Sequence, residues 1–463
     1  MQMFGKRSRN YEMDMCSGPL FSKIIIFSMP LMLTSILQLL YNAADIVVVG
    51  RYAGSIALAA VGSTGSLINL IVNLFMGLSI GASVVVARHY GANSYKDVSE
   101  SVHTSMTIAG ICGVVVGIFG FVTARPLLVM MGSPEDVLEH AVLYVRIYFV
   151  GLPGMMLYNF GAGVLRAIGD TRRPLYFLTI SGLVNVVCNL IFVIGFHMGV
   201  AGVAWATTIS QYLSMGMILY CLMRSEGAIR LDLKKLGIKK DKLLDIVRVG
   251  LPAGLQSSLF AISNVTIQSA VNSFGSTVMA GNSAAGNIEG FIYVAMNTLY
   301  QAAVTFTSQN MGAKKYERIS KITGLCVGIV TVVGLIVGGI ARLFAPQLLG
   351  IYSPDPAVIE KGLIRMSIIC LTYFTCGIMD TLVGILRGMG YSVVPMIVSL
   401  AGACGFRILW IFTIFAWNRD LTVLYTSYPI SWVITAAMHF ITYVIVKRRL
   451  DKKAKEEALT TEA

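Results

Sequence analysis

Three carboxylic acids stand deep inside long apolar runs of this chain, Asp45, Glu289 and Asp380, out of 23 acids in all. An ionisable group at membrane depth costs a few kcal/mol on insertion scales, so such groups mark either a site of function or a buried ion pair. Around Asp45 the polar residues are spaced for a helix. Gln38, Tyr41, Asn42 and Asp45 fall at i, i+3, i+4 and i+7, which is one stripe. A polar stripe cannot face lipid, so it must turn toward a protein-lined, wet interior. Two chemistries suit an acid placed there. Burial disfavours the charged carboxylate, so Asp45 can take and release a proton as its surroundings open to either side. Alternatively, Asp45 supplies the charge of a Na+ site completed by amide and hydroxyl oxygens. Asn185 and Asn189, one helical turn apart, and Thr207 are the candidate oxygens, with the ion at Asp45, Asn185 and Asn189.

The second half of the chain repeats the theme. Glu289, Tyr293, Met296 and Tyr300 share one helical stripe, Asn264 and Gln268 another, and Tyr373, Cys376 and Asp380 line up above Arg387. Asn264, Gln268, Glu289, Tyr300 and Asp380 are expected to form a substrate-binding wall together with Gln38, Tyr41 and Asn42. Arg407 is a ready ion-pair partner for Asp380 or Glu289; the alternative is that these acids line the cavity. Asp45 has only Arg51 nearby in sequence.

The elements that must hold these residues are membrane spans. The chain has 463 residues, 56% hydrophobic and 13% charged, with mean hydropathy +0.74; soluble domains run at about 25% charged. Apolar runs give twelve spans, at residues 21–49, 59–87, 101–123, 138–164, 175–196 and 201–223, then 244–271, 280–307, 320–343, 359–385, 395–416 and 426–447. With the N-terminus inside, 28 of 36 Lys and Arg fall in cytoplasmic segments and 5 on the other side. That bias puts both termini in the cytoplasm of a multi-pass protein of the cell inner (plasma) membrane. The layout is then a cytoplasmic segment at 1–20, an N-lobe at 21–223, a basic linker at 224–243, a C-lobe at 244–447 and a basic tail at 448–463. The tail is expected to lie along the anionic inner leaflet.

The net charge of +13 is spread over the gaps between spans rather than gathered in a patch, which argues against a nucleic-acid partner. Seven of the eight cysteines lie in apolar segments and none forms a CxxC pair, so they read as packing residues rather than disulfides. No GxxxxGK[ST], HExxH or paired Cys/His spacing occurs, which leaves no expected cofactor, enzymatic activity or ATP site.

A shift of about 221 residues superposes the halves. Gly91–Val98 (GANSYKDV) meets Gly312–Ile319 (GAKKYERI), Leu165–Pro174 (LRAIGDTRRP) meets Leu386–Pro395 (LRGMGYSVVP), and Pro30 and Asn42 meet Pro252 and Asn264 after a one-residue slip. Six spans per half is an even number, so the repeats run parallel, an architecture of transporters that rock two bundles about a central site.

The runs YNAADIVVVGRYAG in the first span, SQNMGAKKYER after the eighth, LRAIGDTRRP after the fourth and LRGMGYSVVP after the tenth resemble the multidrug and toxic compound extrusion (MATE) family, over about residues 18–447. The resemblance implies an all-α membrane protein of twelve transmembrane helices in two six-helix lobes related by a pseudo-twofold along the membrane normal. It also implies export of cationic amphiphilic compounds in exchange for Na+ or H+, with Asp45 matching the family's first-helix coupling acid. The family's fifth-helix pattern is often Asn-x-x-x-Asp; here Asn185 and Asn189 lack the second acid. Asn264 stands where some members carry a seventh-helix acid. Such a transporter is expected to act as a monomer on small-molecule cations within the lipid bilayer. The rivals are a lipid-linked oligosaccharide flippase, for which Arg146, Arg365 and Arg407 would serve an anionic cargo, and a membrane-embedded lipid enzyme.

Overall fold

The computed structural model describes residues 11–462, so the first half of the N-terminal segment lies outside the described residues. Every regular element among those residues is helical. The first repeat comprises α1 (Leu20–Val48), α2 (Ser55–Gly91), α3 (Tyr95–Met130), α4 (Glu135–Ala167), α5 (Arg172–Asn189) and α6 (Gly199–Arg224). The second comprises α7 (Lys240–Asn272), α8 (Ser276–Gly312), α9 (Tyr316–Leu343), the short α10 (Ala345–Tyr352), α11 (Pro356–Ile369), α12 (Tyr373–Gly388), α13 (Val393–Ser399), α14 (Phe406–Trp410) and α15 (Leu421–Glu462). Short π-helical segments follow α1 (Val49–Ala53), α5 (Leu190–Gly195), α13 (Leu400–Gly405) and α14 (Ile411–Phe415).

Among the described residues nine helical segments are long and apolar enough to cross a membrane, or ten when α11 and α12 count as one span bent by 50°. The helices α6 and α8, with 26 and 37 residues, are less apolar but exceed the roughly 20 residues a bilayer requires. They complete the twelve segments expected from sequence. The expected span at 359–385 is thus two helices. At its break the Thr372 hydroxyl donates back to the carbonyls of Ile368 (2.7 Å) and Ile369 (3.1 Å), a bond that bends helices.

The repeat holds element by element. Helices α2 and α8 have the same length, and each starts after a glycine at positive φ, Gly54 (89°) and Gly275 (93°). The loops that follow them use left-handed residues at matching places, Asn93 (55°) and Lys314 (53°), and Gly169 (92°) is matched by Gly390 (94°).

The chain forms two compact units. One holds residues 11–14 and Met29–Gly254, the other Met15–Ser28 and residues 255–462. Helices α1 and α7 are therefore each divided between units, whereas the sequence layout cut the chain at the linker. Within the first unit α4 packs against α2, α3 and α6; within the second α12 packs against α8, α9 and α15.

Close helix contact has the same basis in both units. On α3, a Cβ at Gly113 would lie 2.6 Å from Pro153 Cα and one at Gly117 would lie 2.9 Å from Phe149 O. On α9, a Cβ at Gly334 would lie 2.7 Å from Phe374 Cβ and one at Gly338 would lie 2.1 Å from Cys370 O. Small residues let backbones approach where lipid supplies no hydrophobic drive between helices. Gly338 has no room for a methyl group, while its neighbour Gly339 has nothing within 4 Å. Gly338→Ala should therefore destabilise the protein by about 1–3 kcal/mol, the usual cost of overpacking, and Gly339→Ala should not. Thermal unfolding of the two variants in detergent checks this; equal stabilities would show that α9 tolerates a wider separation.

Candidate functional site

Asp45 lies one turn before the end of α1, and Asn189 is the last residue of α5. Each precedes a π segment, and these two segments pack together. π-helical insertions are frequent at functional sites because they re-aim side chains out of the regular ladder. Asn189, fully buried, donates from Nδ2 to Asp45 Oδ1 and, at 3.2 Å, to Asn185 Oδ1. Its own Oδ1 is buried with no hydrogen-bond partner among the described residues. Asp45 is half-buried and, among the described residues, makes no ion pair, with Arg51 or any other base. Tyr144 of α4, which sequence reasoning missed, lies within electrostatic reach of the carboxylate.

This cluster unites three of the four residues expected to couple an ion. The fourth, Thr207, donates to Val203 O of its own helix (3.0 Å) and makes no hydrogen bond to the others. Gln38 and Asn42 are exposed. Tyr41 instead turns to α5, where its hydroxyl donates to Thr179 O (3.3 Å) and its ring covers Gly182; a Cβ there would be 1.9 Å from the ring.

The second unit resolves the pairing of its acids differently from the expectation. Glu289 is 5% exposed and pairs with Arg365 of α11, not with Arg407. The guanidinium donates twice, Nε to Oε1 at 2.7 Å and Nη2 to Oε2 at 2.6 Å, and Nη1 donates to Asn282 Oδ1 at 2.6 Å. Asn282 also accepts from the Tyr425 hydroxyl (3.2 Å) and donates to Gln268 Oε1 (3.0 Å); Gln268 in turn donates to Asn272 (2.8 Å). The pairing runs between helices 76 residues apart, which helical periodicity cannot register. The legible signal was narrower: Glu289 and Arg365 both lie within spans, so each needed a mate.

Arg407 donates instead to Ser431 Oγ (2.8 Å) and stacks over Tyr428 at 4.3 Å. Tyr300 is buried and accepts from Arg387 Nη1 (2.6 Å), whose Nη2 donates to Gln256 (2.8 Å). Asn264 is exposed, and Asp380 is half-buried with no ion pair among the described residues. The substrate wall expected in this half is therefore not one surface. Glu289, Gln268 and Tyr300 belong to buried networks, and only Asn264 and Asp380 are uncommitted.

A family model described as MatE matches the chain twice, over residues 30–191 and 252–413. The two matches lie 222 residues apart and cover the repeat read in the sequence. A probable multidrug resistance protein, YoeA of Bacillus subtilis, is 24% identical over 432 residues, spanning 92% of this chain and 93% of its own. The multidrug export protein MepA of Staphylococcus saprophyticus is 23% identical over 372 residues, 80% of this chain and 82% of its own. A crystal structure of a MATE protein in complex with MaL6 has the same fold, with a TM-score of 0.89, 23% identity, and coverage of 95% of this chain and 98% of that one. The duplicated match, taken with the matching order of helices in both repeats, makes this chain a multi-pass membrane protein that belongs to the MatE family.

Proposed function

We propose that the chain is a secondary active multidrug efflux antiporter that exports cationic amphiphilic compounds in exchange for Na+ or H+ by alternating access. Relatives named for multidrug resistance and export support the first half of this reading. The observation that carries the coupling is the Asp45–Asn189–Asn185 chain with its stranded Asn189 oxygen. The carboxylate has a hydrogen-bond donor but no counter-charge, so it can neutralise one cation.

The Asn189 amide gives this step two states. With Asp45 ionised, Nδ2 faces the carboxylate. Rotation of the amide turns Oδ1 toward Asp45, where it accepts from a protonated carboxyl or joins the oxygens of Asp45 and Asn185 around Na+, a hard cation that prefers oxygen ligands. Which face the amide presents is thus tied to whether an ion is bound. Asp380 is the acid of the second unit that meets the substrate's charge; Gln38 and Asn42 in the first unit and Asn264 in the second are polar groups left without side-chain partners among the described residues. Lys and Arg distribution supports cytoplasmic termini in the plasma membrane, and the protein acts as a monomer.

The flippase reading loses the charge of one of its three arginines and finds a second held against the neighbouring helix α3. Arg365 is neutralised by Glu289, and Arg146 donates to Phe121 O (3.3 Å) and lies over the Phe121 ring.

Asp45→Asn should fold and insert yet lose ion-driven efflux of an ethidium-like dye from reconstituted vesicles; wild-type efflux would remove Asp45 from coupling. Separate Na+ and H+ gradients in that assay identify the ion. Asn189→Ala deletes both faces of the amide and should weaken coupling at least tenfold, whereas Asn189→Asp, adding a second carboxylate, should shift the ion dependence toward Na+. An Asn189→Ala protein with unaltered ion dependence would leave Asp45 to act alone. Glu289 has a structural role on this reading. Arg365→Gln strands a buried carboxylate and should cost about 3–5 kcal/mol in thermal unfolding, with recovery in the Glu289→Gln/Arg365→Gln pair. If the pair is no more stable than the single variant, Glu289 is not held by Arg365.

A further inference from the structure

The connection between α6 and α7 is pinned to α3 at two points. His103, 5% exposed, accepts the Asp232 N–H at its Nε2 (3.0 Å), while its Nδ1 is satisfied by Ser99 O (2.7 Å). Thr104, fully buried on the next residue of α3, accepts the Lys239 N–H (3.2 Å). The six residues between the pins, LKKLGI at 233–238, bulge outward. Leu233, Leu236 and Ile238 are held 56%, 43% and 43% exposed, interleaved with exposed Lys234, Lys235 and Lys239. Leaving three large apolar side chains in water has a cost that this loop, anchored at both ends, cannot relieve by folding back.

The depth of the pins explains the pattern. Helix α3 begins at Tyr95 and has 36 residues, so it is about 54 Å long and overruns a hydrocarbon core of about 30 Å. His103 lies about 12 Å along it, just past Glu100, where the apolar stretch begins. The loop is therefore fixed at the level of the headgroups. Loop and α3 together line an open cavity of about 480 Å3, with Ser99, Glu100 and His103 on one side and Lys235, Ile238 and Lys239 on the other.

We propose that residues 233–239 are a membrane-docking element. Leu233, Leu236 and Ile238 enter the headgroup–acyl boundary, and Lys234, Lys235 and Lys239 bind the phosphates of anionic phospholipids. The leaflet is the cytoplasmic one, a detail that rests on the orientation proposed above. Interfacial elements of this kind pair apolar residues with basic ones because each lysine near an anionic surface adds about 1 kcal/mol.

The test places a tryptophan in the loop, Leu236→Trp, in the full-length protein reconstituted with lipids brominated near the top of their acyl chains. The emission added by this tryptophan should be quenched, and more strongly when phosphatidylglycerol replaces phosphatidylcholine. Removing Lys234, Lys235 and Lys239 as glutamines should lower the apparent affinity for phosphatidylglycerol about fivefold per lysine in titrations followed by that emission. An added emission that bromolipid leaves unquenched in both vesicle types would overturn the proposal, as would a lipid preference unchanged by the lysine substitutions. Neither readout depends on transport, so failure here is distinct from failure of the antiport reading.

Discussion

A charge within a membrane-spanning helix must be compensated, and Glu289 and Asp45 meet that demand in opposite ways. Glu289 is answered by a two-pronged guanidinium, and the guanidinium is answered in turn by Asn282 and two tyrosine rings, Tyr425 and Tyr428. Such a pair is closed: removing either member strands the other in a low-dielectric interior. Asp45 receives one amide hydrogen bond and no opposite charge. On the antiport reading, the acid left in that condition is the one that meets an external cation. The first arrangement holds α8 to α11; the second leaves chemistry to be done.

The frame that sustains this difference is built from small residues. Gly113 and Gly117 seat α3 on α4, and Gly334 and Gly338 seat α9 on the α11–α12 pair, at matching positions of the two repeats. Close backbone contact of this sort has no slack for a methyl group, so each unit is stiff where its helices cross. The π segments beyond Asp45 and Asn189 interrupt the regular helical ladder next to the acid and its amide donor.

The helices and the repeat were legible in sequence because hydropathy and loop motifs are local properties that recur at a fixed offset. Asp45 was legible too, since an acid in an apolar run stands out without any knowledge of its neighbours. Partnership was not. Arg407 was the expected mate of Glu289, yet Arg365 holds it, because the choice depends on which helices touch and at what height. Tyr41 shares the Asp45 stripe in the ideal helical projection, but Gly182 offers its ring a seat on α5, and a stripe cannot reveal a glycine on another helix. Thr207 failed for the plainer reason that a hydroxyl on a helix can bond its own i−4 carbonyl, here Val203 O.

The same offset that exposes the repeat also exposes where it was broken. At 222 residues, Asp45 corresponds to Ile267 and Asn185 to Arg407. Asn189, the amide that bonds Asp45, corresponds to Ile411, so the acid and its amide partner are both replaced by aliphatic side chains. Arg407 is 3% exposed, and its Nη2 has no partner among the described residues. Position for position, then, the second repeat lacks both the acid and the amide that bonds it. On the antiport reading this confines ion coupling at this position to the first repeat and leaves Asp380, on α12, to meet the charge of the substrate.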